Sequence, residues 1–126
     1  HKRLRGSGWE TVEEPIWIVD KIGELENRVE VVLLDCITLW LSNLLLKWDD
    51  DSRIMDEVDR LIRTIQQSKT SFIFVSNEVG MGIVPADPLS RRFRDLSGMA
   101  NQRIAELAET VILMVTGIPI YLKGAK

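Results

Sequence analysis

An α/β fold with a mostly parallel sheet is what this sequence predicts, and three observations predict it. Short runs of branched and aromatic residues recur at Val31–Asp35, at residues 72–75 and at Val111–Val115, each the length and composition of a strand covered on both faces. Between them lie segments whose apolar residues return every three or four positions, the spacing of amphipathic helices. Strands alternating with helices are joined most simply by right-handed crossovers, which place the strands parallel. No internal repeat or low-complexity segment interrupts the alternation.

Taken in order, the chain opens on a basic, glycine-containing arm, residues 1–8, and reaches Trp9. The spacing of Ile16, Val19, Ile22 and Leu25 predicts a first helix over residues 12–26, with Thr11 placed to cap it and Glu13 and Glu14 in the turn where the helix dipole favours carboxylates. The strand ending in Asp35 follows. Thr38 or Asp35 is placed to start the next helix, residues 39–47, whose Leu39, Trp40, Leu44 and Leu45 are apolar enough to pack inside or against another subunit. Asp49, Asp50 and Asp51 read as a solvated loop before a helix N-terminus rather than as a metal cluster. Ile54, Val58, Leu61, Ile62 and Ile65 mark a further amphipathic helix with Arg60 and Arg63 on its wet side.

The strand at residues 72–75 delivers Ser76, Asn77 and Glu78 to a sheet edge. Gly80, Gly82 and Pro85 then demand a shaped loop, since the glycines admit positive φ and the proline lacks a backbone donor. A long helix over residues 89–109 carries Arg91, Arg92, Arg94 and Asp95 near its start. Gly98 inside it is a place where another backbone can come close. Glu78 and Asp95 are open to two readings: a share in ligand binding, or pairing with arginines to hold the loop on the helix. Gly117, Ile118 and Pro119 read as a turn, and residues 120–123 as a short edge strand.

Composition bounds the rest. At 126 residues the chain, residues 1–126, is one domain. A net charge of −3 with no basic stripe argues against non-specific nucleic-acid binding. Cys36 is the lone cysteine, so no internal disulfide forms; a buried hydrophobe in a reducing, cytoplasmic compartment is the expectation. No apolar run reaches the roughly 18 residues a membrane span needs.

The apolar strand ending in Asp35 has the form of a Walker B strand, whose carboxylate holds magnesium against nucleotide phosphates. The glycine-rich loop G-x-x-x-x-G-K-[ST] that would cradle those phosphates is absent from the chain. Longer patterns are more specific. S-N-E-V-G-M-G-I-V-P at residues 76–85, R-R-F-R-D-L-S-G at residues 91–98, Asn101-Gln102, L-L-D-C-I-T at residues 33–38, N-L-L at residues 43–45 and W-x-T-x-E at residues 9–13 stand in one order along the chain. In these residues the sequence resembles the bifunctional adenosylcobinamide kinase and adenosylcobinamide-phosphate guanylyltransferase family of cobalamin assembly.

That resemblance implies a P-loop NTPase, RecA-like, three-layer fold. The family's first strand and P-loop would precede His1, so the chain is expected to be the carboxyl-terminal two-thirds of the enzyme and impaired alone. It implies phosphorylation of adenosylcobinamide, then transfer of GMP from GTP to the product through a GMP-histidine intermediate. His1 matches the family's histidine by its spacing to Trp9. Lys2, Arg3, Leu4, Arg5, Glu13 and Asp35 are implied to contact the nucleotide, with Asp35 a ligand for Mg2+ bound with GTP or ATP. A homo-oligomer, with a trimer the state suggested, is implied as well. Two other readings stand beside it: a non-catalytic nucleotide-binding or oligomerisation fragment, and a RecA-like DNA-handling domain that the acidic charge balance disfavours.

Overall fold

The computed structural model describes residues 6–124. His1, Lys2, Arg3, Leu4 and Arg5 therefore lie outside the described residues. The elements run α1 (Ile18–Leu25), β1 (Val31–Asp35), α2 (Ile37–Lys47), α3 (Asp51–Gln67), β2 (Ser71–Val75), a single 3-10 turn (Val79–Met81), α4 (Pro88–Leu107), β3 (Val111–Val115) and β4 (Ile118–Lys123).

The expected continuous, mostly parallel RecA-like sheet is not what these strands build. β1 and β2 pair parallel, with Val31 opposite Ser71 and Asp35 opposite Val75. β3 and β4 form a separate antiparallel pair. Two physical reasons account for the difference. First, β3 meets its own neighbour through a two-residue turn, Thr116 and Gly117, both at positive φ (50° and 79°). That is the backbone of a tight hairpin whose twist matches antiparallel strands, and a local pairing of this kind needs no crossover. Second, β1 and β2 are covered on one face only: Val32, Leu34, Phe72 and Phe74 pack on the core, while Val31, Leu33, Ile73 and Val75 are exposed. A continuous apolar run had suggested cover on both faces; the helices supply one.

The core lies between that inner sheet face and the four helices. Ile37, Leu41 and Leu44 of α2, Ile54, Val58 and Leu61 of α3, and Leu96 and Ala100 of α4 are fully or almost fully buried. Small Ser97 and Ala100 on the inner side of α4 allow it to sit close to α2 and α3. Phe72 and Phe74, two positions apart and so on the same face of β2, stack with ring centroids 5.8 Å apart.

Local capping explains most helix boundaries. Asp50 caps α3 by accepting from Arg53 N–H at 3.2 Å, and Asp87 caps α4 by accepting from Ser90 N–H at 2.8 Å, with Pro88 in the first turn. The other acids of the Asp triplet, Asp49 and Asp51, pair with Arg92 of α4 at 2.6 and 2.7 Å. Among the described residues no cluster of acids, histidines or cysteines is arranged to hold a metal. At the far end of α4, Lys123 donates to the carbonyls of Ala105 and Glu106 at 3.0 and 2.8 Å, tying β4 to a helix terminus where a cation is favoured.

The first helix departs from expectation. It begins at Ile18, not Val12, because Pro15 and the Glu14 side chain organise a turn instead: the Glu14 carboxylate accepts from Ile16 N–H at 2.9 Å and Trp17 N–H at 2.8 Å. Trp40 Nε1 donates to Ile16 O at 2.9 Å and Asn43 Nδ2 to Pro15 O at 3.0 Å, so the turn is clamped to α2. The two backbone donors hold the Glu14 carboxyl below its ordinary value of 4.5. A depressed folded-state pKa adds stability that is complete above 4.5 and disappears as pH falls through the lower folded value. Glu14→Gln is therefore expected to flatten the acid limb of a melting-temperature profile below pH 4.5, and an unchanged limb would contradict this turn.

Candidate functional site

Because β1 and β2 are parallel and in register, their carboxyl ends open side by side. Asp35 finishes β1 on its exposed face and Val75 finishes β2, so the Ser76-Asn77-Glu78 segment leaves the sheet beside the end of β1. The carboxyl ends of parallel strands are where open α/β sheets bind ligands. Asp35 is exposed, and its side chain makes no hydrogen bond or ion pair with another described residue. Neither Asp35 nor Thr38 caps α2. Cys36 does, its Sγ accepting from Leu39 N–H at 3.4 Å and lying 3.2 Å from Thr38 Oγ1. Half-buried and engaged in a cap, Cys36 is not the interior hydrophobe its rarity suggested.

A chain of side-chain hydrogen bonds crosses this end of the molecule. Ser76 Oγ donates to Asn101 Oδ1 at 2.6 Å, and Asn101 Nδ2 donates to Asn77 O at 3.2 Å. Asn77 Nδ2 in turn donates to Thr38 Oγ1 at 2.9 Å, at the first turn of α2. The carboxamide of Asn101 thus uses its acceptor and a donor to hold the turn after β2, and Asn77 passes that constraint to the helix following Asp35. Sequence reading singled out Asn101 and Asn77 as motif members without assigning them this bridging part. An amide with two complementary ends, placed 24 residues from its partner, declares nothing by spacing.

The loop beyond is anchored to α4 by arginines reaching backbone carbonyls. Arg94 donates to Gly80 O at 2.7 Å, and Arg91 donates to Pro85 O at 3.2 Å and also to Ala86 O. These bonds replace the arginine pairs with Glu78 and Asp95 that sequence had offered. Carbonyls of a shaped loop lie along the helix and suit a guanidinium fork, which leaves both carboxylates exposed to solvent. Between loop and helix runs an open groove of about 500 Å³ lined by Gly80, Arg94, Asp95, Gly98, Met99 and Gln102. Gly98 receives no close backbone from elsewhere among the described residues: a side chain there would meet none of their atoms within 4 Å. A smaller hollow of about 270 Å³ between α1 and α3 shares no residue with this end and contains the Asp20–Arg60 ion pair.

Of the residues expected in the site, the structure places Asp35 at the strand ends and Glu13 on the exposed segment before α1. The remaining five, His1 to Arg5, fall outside the described residues. Magnesium bound with a nucleotide takes one or two carboxylates and completes its shell with phosphate oxygens and water. A single exposed carboxylate, unengaged and at a strand end, fits that donor set; a cage made of protein groups alone is not present among the described residues.

An exposed carboxylate and a polar turn stand where two parallel strands end, the end at which open α/β sheets bind ligands. Comparison with known proteins takes this further. A family model described as Cobinamide kinase / cobinamide phosphate guanyltransferase matches residues 1–122, and the chain belongs to that family. It is 40% identical over 124 residues to the "Bifunctional adenosylcobalamin biosynthesis protein CobP" of Pseudomonas aeruginosa, covering 98% of this chain and 71% of that protein. Two proteins named "Bifunctional adenosylcobalamin biosynthesis protein CobU" are similar as well. The one from Escherichia coli is 38% identical and the one from Salmonella typhimurium 41%, each over 98% of this chain and 75% of the relative. The chain is thus an enzyme of the kinase and nucleotidyltransferase class in cobalamin biosynthesis. No helix among the described residues is long and apolar enough to cross a membrane.

Proposed function

We propose that this protein phosphorylates adenosylcobinamide and then transfers GMP from GTP onto the phosphate, giving adenosylcobinamide-GDP and pyrophosphate. The observation that carries the reading is the family match across residues 1–122, a span that includes His1, the basic arm and Asp35 together. In the transfer, the neutral imidazole of His1 attacks the α-phosphorus of GTP. The bond from that phosphorus to the bridging oxygen breaks, and pyrophosphate leaves. The phosphate oxygen of adenosylcobinamide phosphate then attacks the same phosphorus, breaks the N–P bond and returns the histidine. An unperturbed imidazole with a pKa of ~6.5 is available as a nucleophile at neutral pH without a separate base.

Lys2, Arg3 and Arg5 stand beside His1 in sequence and neutralise charge that spreads over the phosphates in each displacement; Leu4 and Glu13 complete the nucleotide contacts. Asp35 would hold Mg2+, which supplies further neutralisation of phosphate charge when it is bound with GTP or ATP. The exposed outer stripe of α2, Leu39 and Leu46, and the open faces of both strand pairs suit assembly into a homo-oligomer.

The test is retention of label from α-labelled GTP by denatured protein. Asp35→Asn is expected to reduce that labelling by roughly 10²-fold, the scale seen when one charge-stabilising group is removed. Its melting temperature should stay near that of the unmodified protein, because among the described residues the carboxylate has no partner to lose. Labelling at the original rate would remove Asp35 from the site.

A further inference from the structure

We propose that the groove floored by Gly98 receives the amide-bearing edge of the corrin ring of the cobinamide substrate. This rests on the function proposed above and adds the place where its acceptor substrate lies. The starting observation is a glycine without a local reason. Gly98 sits in the middle of a 20-residue helix, where glycine costs about 1 kcal/mol relative to alanine. Among the described residues a side chain there would meet nothing within 4 Å, so neither their packing nor their backbone calls for its absence. What the missing side chain does is keep the groove floor flat.

The groove's walls match one kind of ligand. Arg94 commits one amino group to Gly80 O and keeps further donors in the lining. Asp95 offers acceptors and Gln102 offers both, and neither side chain bonds to another described residue. Interleaved with these polar groups is apolar surface: Met99 is 40% exposed, and beyond Gly80 the loop presents Met81, Ile83 and Val84 at 75%, 97% and 64%. A corrin ring edge is apolar and carries carboxamide arms whose N–H groups suit Asp95 and whose carbonyls suit Arg94. Methionine adapts its shape to such an irregular surface. A nucleotide triphosphate is a poor match, since the Asp95 carboxylate would face its anionic oxygens. The groove and the strand-end turn are served by neighbouring residues of α4. Gln102 adjoins Asn101, whose carboxamide holds the Ser76-Asn77 turn beside Asp35. A substrate resting on α4 would direct its reacting arm along the helix to that carboxylate.

Binding of adenosylcobinamide is measured by equilibrium dialysis and its visible absorbance, on the natural full-length protein and its Gly98→Leu and Gln102→Ala variants. Gly98→Leu is expected to weaken adenosylcobinamide binding by ~10-fold or more, as when a shaped pocket is obstructed, without lowering the melting temperature. GTP affinity should move by less than about twofold, because the obstruction is confined to the groove. Gln102→Ala, an exposed change that leaves folding intact, should weaken the same binding by roughly 5-fold through loss of hydrogen bonds to amides. It decides the matter if Gly98→Leu does not fold. Unchanged corrinoid affinity in the folded variants overturns the proposal. So does a fall in sedimentation mass with Gly98→Leu, which would make the groove a subunit contact. Absence of GMP labelling in the unmodified protein would instead overturn the guanylyl-transfer reading and leave the dialysis result standing.

Discussion

Replacing His1 with alanine is expected to abolish acid-labile labelling of the protein by α-labelled GTP, with guanylyl transfer falling at least about 10³-fold, because the nucleophile that divides the reaction into two displacements is gone. Phosphorylation of adenosylcobinamide with ATP should persist, since that step passes a γ-phosphoryl group directly to a hydroxyl and requires no covalent histidine. The separation of the two activities is the informative outcome. Loss of both would point to a general nucleotide-binding defect. Retention of label in the alanine variant would place the nucleophile elsewhere, and His1 is the sole histidine of the sequence.

Leu44→Ala is expected to be among the most damaging single truncations for folding. Leu44 is wholly buried between the sheet and the other helices, and removing such a side chain costs about 2–5 kcal/mol through lost burial and an unfilled cavity. Against a total stability of roughly 5–15 kcal/mol, that is enough to lower the melting temperature by about 10 °C. Leu46→Ala on the same helix is the control. Leu46 is 76% exposed, and its truncation should fall within about 0.5 kcal/mol of neutral. Calorimetric scans of the two variants distinguish the faces of α2. Equal losses would mean that the outer stripe is covered by another surface in the assembled protein, and the assignment of Leu46 to solvent would fail.

How much of this was legible beforehand varies by level. β1 and β3 are where the apolar runs placed them, and α3 and α4 start within a few residues of expectation because their caps, Asp50 and Asp87, are short-range signals. The start of α1 was misplaced because Pro15 and Glu14 compete for the same backbone, and the winner depends on Trp40 and Asn43 of α2 accepting the turn. For Glu78 and Asp95 the sequence left two readings open, a share in ligand binding or pairing with arginines, and the second is not what the arginines do. Arg91 and Arg94 bond to carbonyls, whose positions no composition reveals.

From sequence alone came the family and with it the chemistry, since ordered patterns such as the one at residues 76–85 record which groups must be present. Sequence also placed β1, β3, α3 and α4, because hydrophobic period and caps act over a few residues, whereas it started α1 six residues early and took Ile118 and Pro119, the first residues of β4, for a turn. Strand partnership was decided only by the tertiary structure. An apolar run is compatible with parallel or antiparallel neighbours and with one covered face or two, so β3 could fold back on β4 while β1 and β2 kept an open face. The bridge from Asn101 through Asn77 to Thr38, which ties the turn after β2 to the start of α2, was likewise decided there: hydrogen bonds between distant side chains exist only once packing has brought their atoms within about 3 Å.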